Sequence, residues 1–168
     1  YFANYFYADD GVTVLWKDDR SFGSYTIVEL YADGKTPRLE AKRLPYNTVL
    51  TDYRPDGKKE RLIRVMDNTF LDVILYDKDG KAFLMQRWKT KRVGNKDVVD
   101  AAGKPVKVLD TVSLVDEKEN PSRVYNFDDA GALKTVTEAP THKLWAERTE
   151  YTVDATGLAV SKKVWNDK

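Results

Sequence analysis

Apolar residues in this chain come in short runs, each followed by a polar turn sequence. The segments 26–31 and 70–76, for example, are rich in the β-branched and aromatic residues that strands prefer. No long run follows the 3.6-residue spacing of an amphipathic helix. The pattern therefore predicts a succession of short strands.

Glycine marks the turns between these runs at a regular spacing. Five glycines stand 23 residues apart, and two more follow after gaps of 28 and 26: Gly11, Gly34, Gly57, Gly80, Gly103, Gly131 and Gly157. The residue four before each glycine is apolar, and the residue three before it is aspartate in four copies. A fixed period of this size indicates a repeat architecture. The longer gaps indicate insertions after Gly103, around 116–121.

The spacing of aspartate and glycine predicts a hairpin turn. The aspartate of Asp-x-x-Gly accepts a hydrogen bond from the backbone, and the glycine adopts the left-handed conformation that closes the turn. A second turn sequence lies between successive glycines, at 44–47, 66–68 and 93–95. Each 23-residue repeat is therefore expected to hold two strands and two turns.

These features predict a single all-β domain over residues 1–168, a length that fits one domain. We expect about a dozen antiparallel strands in sequential β-hairpin repeats. The strands are expected to form either one twisted open sheet or a half-barrel.

The turn type also predicts which residues face each other. Counting outward from the turn places the residue seven before glycine opposite the residue five after it. The expected pairs are Ile27 with Leu39, Leu50 with Leu62, Val73 with Met85, and Val124 with Val136. Because facing aliphatic side chains stabilise a sheet, we expect this column to form the main core.

Alternation along the strand sends the residue four before glycine to the opposite face. In four repeats the residue at that position is aromatic: Tyr7, Tyr53, Tyr76 and Phe127. One interpretation is a second core layer. The other is an exposed aromatic strip that binds a partner, since tyrosine is enriched at contact surfaces. These four residues are the predicted partner-binding residues.

Composition narrows the class of function. The 28 basic and 27 acidic residues give a net charge of +1, so no nucleic-acid partner is expected. Apolar residues make up 42% of the chain, which is enough for a core. The sequence has no cysteine, which excludes disulfides and thiolate sites. No apolar run reaches the ~20 residues of a membrane-spanning helix.

No catalytic motif is apparent. His142 is the only histidine, and a general base also needs a nucleophile or carboxylate placed by the fold. The aspartates recur at the expected hairpin tips, so turn formation explains them better than metal binding. We therefore expect a protein that is not an enzyme and uses no metal or cofactor.

Two short motifs resemble known repeat families. The stretch 52–58, repeated at 75–81, is similar to the bacterial MORN-variant repeat, which is built from Tyr-x-x-(Asn/Asp)-Gly-Lys hairpins. The stretches 125–131 and 151–157 are more similar to the YD repeat of large bacterial toxin shells. The resemblance implies a β-hairpin array with a non-catalytic role. MORN-variant proteins are often labelled antitoxin components, and such repeats also occur in exported envelope proteins.

The first functional hypothesis is a non-enzymatic bacterial binding module that contacts a protein partner through a sheet face or edge. The chain begins at Tyr1, which a cleaved export signal or an upstream lipid anchor would explain, as would trimming for expression. We favour export, and thus the periplasm or cell envelope. Two alternatives stay open: a cytoplasmic antitoxin or immunity protein, and a carrier of an apolar ligand in a curved sheet.

Overall fold

The computed structural model describes residues 2–7, 10, 13–21, 24–66, 70–139 and 147–166. These residues form strands joined by turns, and the predicted all-β class is confirmed. None of them belongs to a helix long and apolar enough to cross a membrane. The chain divides into two compact units, Tyr1–Lys81 and Ala82–Lys168.

Unit 1 is an antiparallel meander in which each strand pairs with the next along the chain. Its strands are β1 (Phe2–Tyr7), β2 (Val14–Ser21), β3 (Ser24–Leu30), β4 (Pro37–Arg43), β5 (Asn47–Tyr53), β6 (Lys59–Met66) and β7 (Phe70–Tyr76). The first and last of these strands do not pair with each other, so the sheet is open.

Unit 2 is a second open antiparallel meander. Its strands are β8 (Ala82–Thr90), β9 (Arg92–Val93), β10 (Lys96–Asp97), β11 (Lys107–Val115), β12 (Pro121–Phe127), β13 (Leu133–Glu138), β14 (Arg148–Val153) and β15 (Ala159–Trp165). The strands β9 and β10, which follow β8 along the chain, pair with each other in a separate two-stranded ribbon. The long strand β8 therefore pairs with the next long strand, β11. The predicted sequential hairpins are present in both units.

One turn geometry recurs at the hairpin tips. Around Gly80, the glycine N–H donates to the carbonyl of Asp77 at 3.0 Å, and the Asp77 N–H donates to the carbonyl of Lys81 at 2.9 Å. The Asp77 carboxylate accepts from the N–H groups of Asp79 and Lys81, both at 2.9 Å. The same bonds form around Asp100, Asp116, Asp128 and Asp154.

The tip residue of each turn has a left-handed backbone. Its φ lies between 65° and 89° at Gly34, Gly57, Gly80, Gly103, Gly131 and Gly157. Glu119 has a φ of 66° and is the only residue with a side chain in this region within the described part of the chain. The segment expected to be an insertion is therefore one more hairpin turn, with glutamate in the place of glycine.

The 23-residue spacing does not mark equivalent hairpins throughout. Gly34 and Gly57 each lie between two full-length paired strands. Between Gly80 and Gly103 the chain instead forms β8 and the two-residue strands β9 and β10. The expectation of two strands and two turns per repeat is wrong for this stretch.

A β-bulge beside each tip shifts the strand register. In the β5–β6 hairpin, Tyr53 pairs with Lys59 while Asp52 pairs with Arg61, so Glu60 is an extra residue in β6.

Outward counting without this extra residue is wrong by one position in the hairpins of Gly57 and Gly131. It is wrong by two positions in the Gly34 hairpin, whose tip is one residue longer because the Tyr31 N–H donates to the carbonyl of Thr36. None of the three predicted pairs that lie within one unit is formed: Ile27 faces Ala41, Leu50 faces Ile63, and Val124 faces Thr137.

The shifted register moves the core to a different row of side chains. In unit 1 the row across β5, β6 and β7 is Thr51, Leu62 and Ile74, with 4%, 8% and 0% of each exposed. In unit 2 the corresponding buried row is Ser113, Val124 and Thr137. Small hydroxyl residues thus share both buried rows with aliphatic ones, and the predicted all-aliphatic column is wrong.

The equivalence of the Glu119 and glycine turns predicts opposite effects for reciprocal substitutions. Glu119→Gly should raise the free energy of unfolding by about 1 kcal/mol, because a side chain in this conformation costs about 1–2 kcal/mol. Gly80→Glu should lower it by roughly 1–3 kcal/mol, because it introduces the same strain. Its Cβ would also lie 3.3 Å from the Lys58 Cβ. Urea unfolding of both variants checks this, and a shift in the same direction for both would contradict the equivalence.

Candidate functional site

The four predicted partner-binding residues do not share one surface. Tyr7 is 53% exposed on β1, whereas Tyr53 is half-buried and Tyr76 is only 7% exposed. By alternation, Tyr53 and Tyr76 lie on the face of unit 1 that holds Thr51 and Ile74.

The fourth residue, Phe127, is half-buried in unit 2. Alternation along β12 puts it on the face opposite the buried Val124. Three of the four aromatic residues therefore lie in unit 1 and one in unit 2. Their exposure ranges from 7% at Tyr76 to 53% at Tyr7. Their role in binding stays a prediction.

Tyr53 is held by polar neighbours on its own face. Burial raises the pKa of its hydroxyl, and the adjacent Glu40 carboxylate, with which it shares a hydrogen bond, raises it further. Glu40 also pairs with Lys42 at 3.0 Å. The ring is consequently held on the face of β5 that also carries Thr51.

Two side chains link neighbouring hairpin tips in unit 1. The Tyr31 hydroxyl donates to the carbonyl of Tyr53 at 2.6 Å. The Arg54 guanidinium donates to the carbonyls of Tyr76 at 2.8 Å and Asp77 at 2.5 Å. Both donors stand three residues before a glycine, where other repeats have aspartate. The departures from Asp-x-x-Gly at these positions therefore join one hairpin to the next.

The turns that lack this aspartate use another acceptor. Asp33 and Asp56, one residue before their glycines, accept from the N–H groups of the residues that follow the glycine. The Gly57 turn thus keeps the geometry of the other tips, whereas the Gly34 turn is one residue longer. In both turns the position three before glycine is freed, for Tyr31 and for Arg54.

Hydrogen bonding at the tips changes the acidity of the aspartates. The pKa of Asp77 is lowered, first by the Lys81 N–H and then by the Asp79 N–H. The Ala132 N–H lowers the pKa of Asp128 in the same way. The Thr156 hydroxyl is the main cause for Asp154, and the Thr36 hydroxyl for Asp33. The ionised carboxylate is therefore part of the folded turn.

A groove of about 580 Å³ lies beside the tips of unit 1 and is called the tip groove here. Tyr31, Tyr53 and Leu75 form part of its lining. The remaining lining residues are all charged: Arg38, Asp52, Glu60 and Arg61. A lining of this kind favours a polar ligand over an apolar one.

The terminal strand of unit 2 is exposed along its length. Every residue of β15 except Trp165 is exposed, including Val160 at 61% and Val164 at 52%. The Trp165 ring lies 4.1 Å from the Arg148 guanidinium and 4.5 Å from the Lys163 ammonium, measured to the ring centre. Among the described residues β15 pairs only with β14, and no other described strand pairs with its second edge.

The described residues contain no group of three or more His, Cys, Asp or Glu side chains arranged to hold a metal ion. His142, considered above as a general base, lies outside the described residues. The sequence had predicted contact through a sheet face or edge, but it indicated neither the tip groove nor which edge is exposed, because bulge residues and exposure depend on the register.

No protein-family model matches the chain, and no curated protein is significantly similar to it. The resemblance to the MORN-variant and YD repeats therefore rests on the motif residues alone.

The bonds from Arg54 to the neighbouring tip predict a stability effect. Arg54→Ala should lower the free energy of unfolding by about 1–3 kcal/mol, because it leaves two part-buried carbonyls without a charged donor. Arg38, whose side chain is 55% exposed in an ion pair with Glu29, is the matched control. Arg38→Ala should cost about 0–1 kcal/mol. Equal losses in urea unfolding would contradict the linking role of Arg54.

The lowered pKa values predict a loss of stability in acid. Because the folded pKa of Asp77 lies below its ordinary value of 3.8, its contribution is present above about pH 4 and lost as the pH falls through the folded pKa. Asp77→Asn keeps an oxygen acceptor but cannot titrate, so the urea midpoint should fall less steeply below pH 4. Asp79→Asn, at the same tip, is the control. An unchanged slope for Asp77→Asn would contradict the prediction.

Proposed function

We propose that the protein is a non-enzymatic binding module that adds an extended segment of a protein partner to the open edge of β15. The observation that carries this proposal is the exposure of β15 on both faces together with its pairing on one side only. An edge strand presents unpaired N–H and C=O groups in a row, which a second strand can complete.

The side chains of β15 indicate the chemistry of the partner. Lys162 and Lys163 lie at the centre of the strand, and β15 contains no acidic residue. Val164 shares one face with Lys162. Val160 is the extra residue of the bulge at the start of β15 and is also exposed. The segment that fits best is an extended one in which acidic and apolar residues alternate, because opposite charges and apolar pairs both stabilise neighbouring strands.

The lysines have a second effect that does not conflict with this role. Charged residues on an edge strand oppose self-pairing, since two copies of β15 would bring like charges together. The edge is thus poorly suited to another copy of itself and better suited to an acidic strand.

This mode of contact suits two of the hypotheses from the sequence. An exported or envelope-anchored module and a toxin-neutralising protein would both act by direct binding. Of these two, we propose the exported or envelope-anchored module. The charged lining of the tip groove gives no support to the carrier of an apolar ligand.

The β15 proposal is tested with exposed valines. Val160→Asp combined with Val164→Asp places two negative charges on the strand that is expected to meet an acidic partner. Val99→Asp, at a position that is 54% exposed outside β15, is the matched control. Circular dichroism should show the same fold for all variants, because these side chains are largely exposed.

We expect affinity capture from native cells to recover a partner with the wild-type protein and with Val99→Asp. The double variant should bind the partner at least about tenfold more weakly, a loss of about 1.4 kcal/mol. In the complex, amide hydrogen exchange in β15 should slow. A partner that binds all three proteins equally, or that leaves β15 exchange unchanged, would sink the proposal.

A further inference from the structure

We propose that the tip groove of unit 1 binds an organic cation, an ammonium or guanidinium group on an aliphatic stem. This site is separate from β15, which belongs to unit 2, and it does not depend on the function proposed above. Its volume of about 580 Å³ lies within the range of small-molecule sites, roughly 300–1,000 Å³.

The two arginines of the groove already have carboxylate partners. The Arg61 Nε donates to Oδ2 of Asp52 at 2.7 Å, and the Arg61 Nη2 lies 2.6 Å from the same oxygen. Arg38 donates to Glu29. Both guanidinium groups are thus neutralised by side chains of the adjacent strand before any ligand arrives.

Glu60 is the one charged lining residue that lacks such a partner. It is exposed and makes no hydrogen bond or ion pair with any residue that the structure describes. The lining itself holds two positive and two negative side chains. Arg38 is paired with Glu29 outside the lining, and Arg61 is paired with Asp52. The Glu60 carboxylate is therefore left as the one uncompensated charge of the described lining. A bound cation would balance this charge, whereas an anion would increase the imbalance.

The bulges explain why these side chains meet in one place. Leu30 pairs with Pro37 and Glu29 with Leu39, which leaves Arg38 as the extra residue of β4. Glu60 is the extra residue of β6 in the next hairpin. A bulge redirects the side chain of its extra residue, and bulges are common beside binding sites. Both redirected side chains line the tip groove.

The rest of the lining suits the stem of such a ligand. Leu75 provides an aliphatic surface and Tyr31 an aromatic one. Alternation along β5 places the Tyr53 ring on the face opposite Asp52, so the ring is not counted as part of this surface. An alkyl chain can lie on these surfaces while its charged end reaches Glu60, as lysine side chains do at protein surfaces. The same chemistry could come from a free amine or from a lysine side chain of a peptide.

Titration followed by NMR tests the site with two cations and one anion of similar length. The probes are 1,5-diaminopentane, Nα-acetyl-lysine amide and glutarate. We expect both cations to shift the amide signals of 60–61 and 75, and glutarate to leave them unchanged. Tighter binding of the acetylated lysine assigns the site to a peptide, and tighter binding of the diamine assigns it to a free amine.

Two variants separate a specific site from general electrostatics. Glu60→Gln should weaken binding of the preferred cation by about tenfold, because a charged hydrogen bond is lost. Asp79→Asn removes a negative charge from the neighbouring hairpin tip, outside the groove lining, and it should change affinity less than about twofold. Unchanged affinity in Glu60→Gln, equal binding of glutarate, or no binding of either cation would overturn the proposal.

Discussion

The hydrogen bonds that close each hairpin tip are the constraint on which the rest of the structure depends. An aspartate carboxylate accepts two backbone N–H groups, and the left-handed residue that follows completes the turn. The bulge beside the turn then adds one residue to the returning strand. Because side chains alternate between faces, this single residue decides which side chains face each other in the hairpins that carry it.

The same tips generate the surfaces available for function. The bulges at two neighbouring hairpins direct Arg38 and Glu60, of opposite charge, into one groove. Tyr31 and Arg54 replace the turn aspartate and connect each hairpin to the carbonyls of the next. The aspartates therefore shape the sheet and the groove through the turns that they close.

The sequence allowed the fold class and the position of most turns to be predicted, because glycine and aspartate report local backbone geometry directly. It did not reveal Glu119, since any residue can occupy the left-handed region at an energetic cost. Nor did it predict the register, because a bulge leaves no mark on the spacing between glycines. Thr51 was overlooked as a core residue for the same reason, although it is only 4% exposed. The groove and the open β15 edge follow from register and exposure, so they could be found only in three dimensions.

The register of the β5–β6 hairpin tests the central claim most directly, and cross-strand nuclear Overhauser effects in NMR measure it. We predict backbone contacts that link Leu50 with Ile63 and Thr51 with Leu62, two neighbouring residue pairs whose side chains point to opposite faces of the sheet. Contacts that link Leu50 with Leu62 instead would mean that the strand has no extra residue at Glu60, and would contradict the structure proposed for the tips.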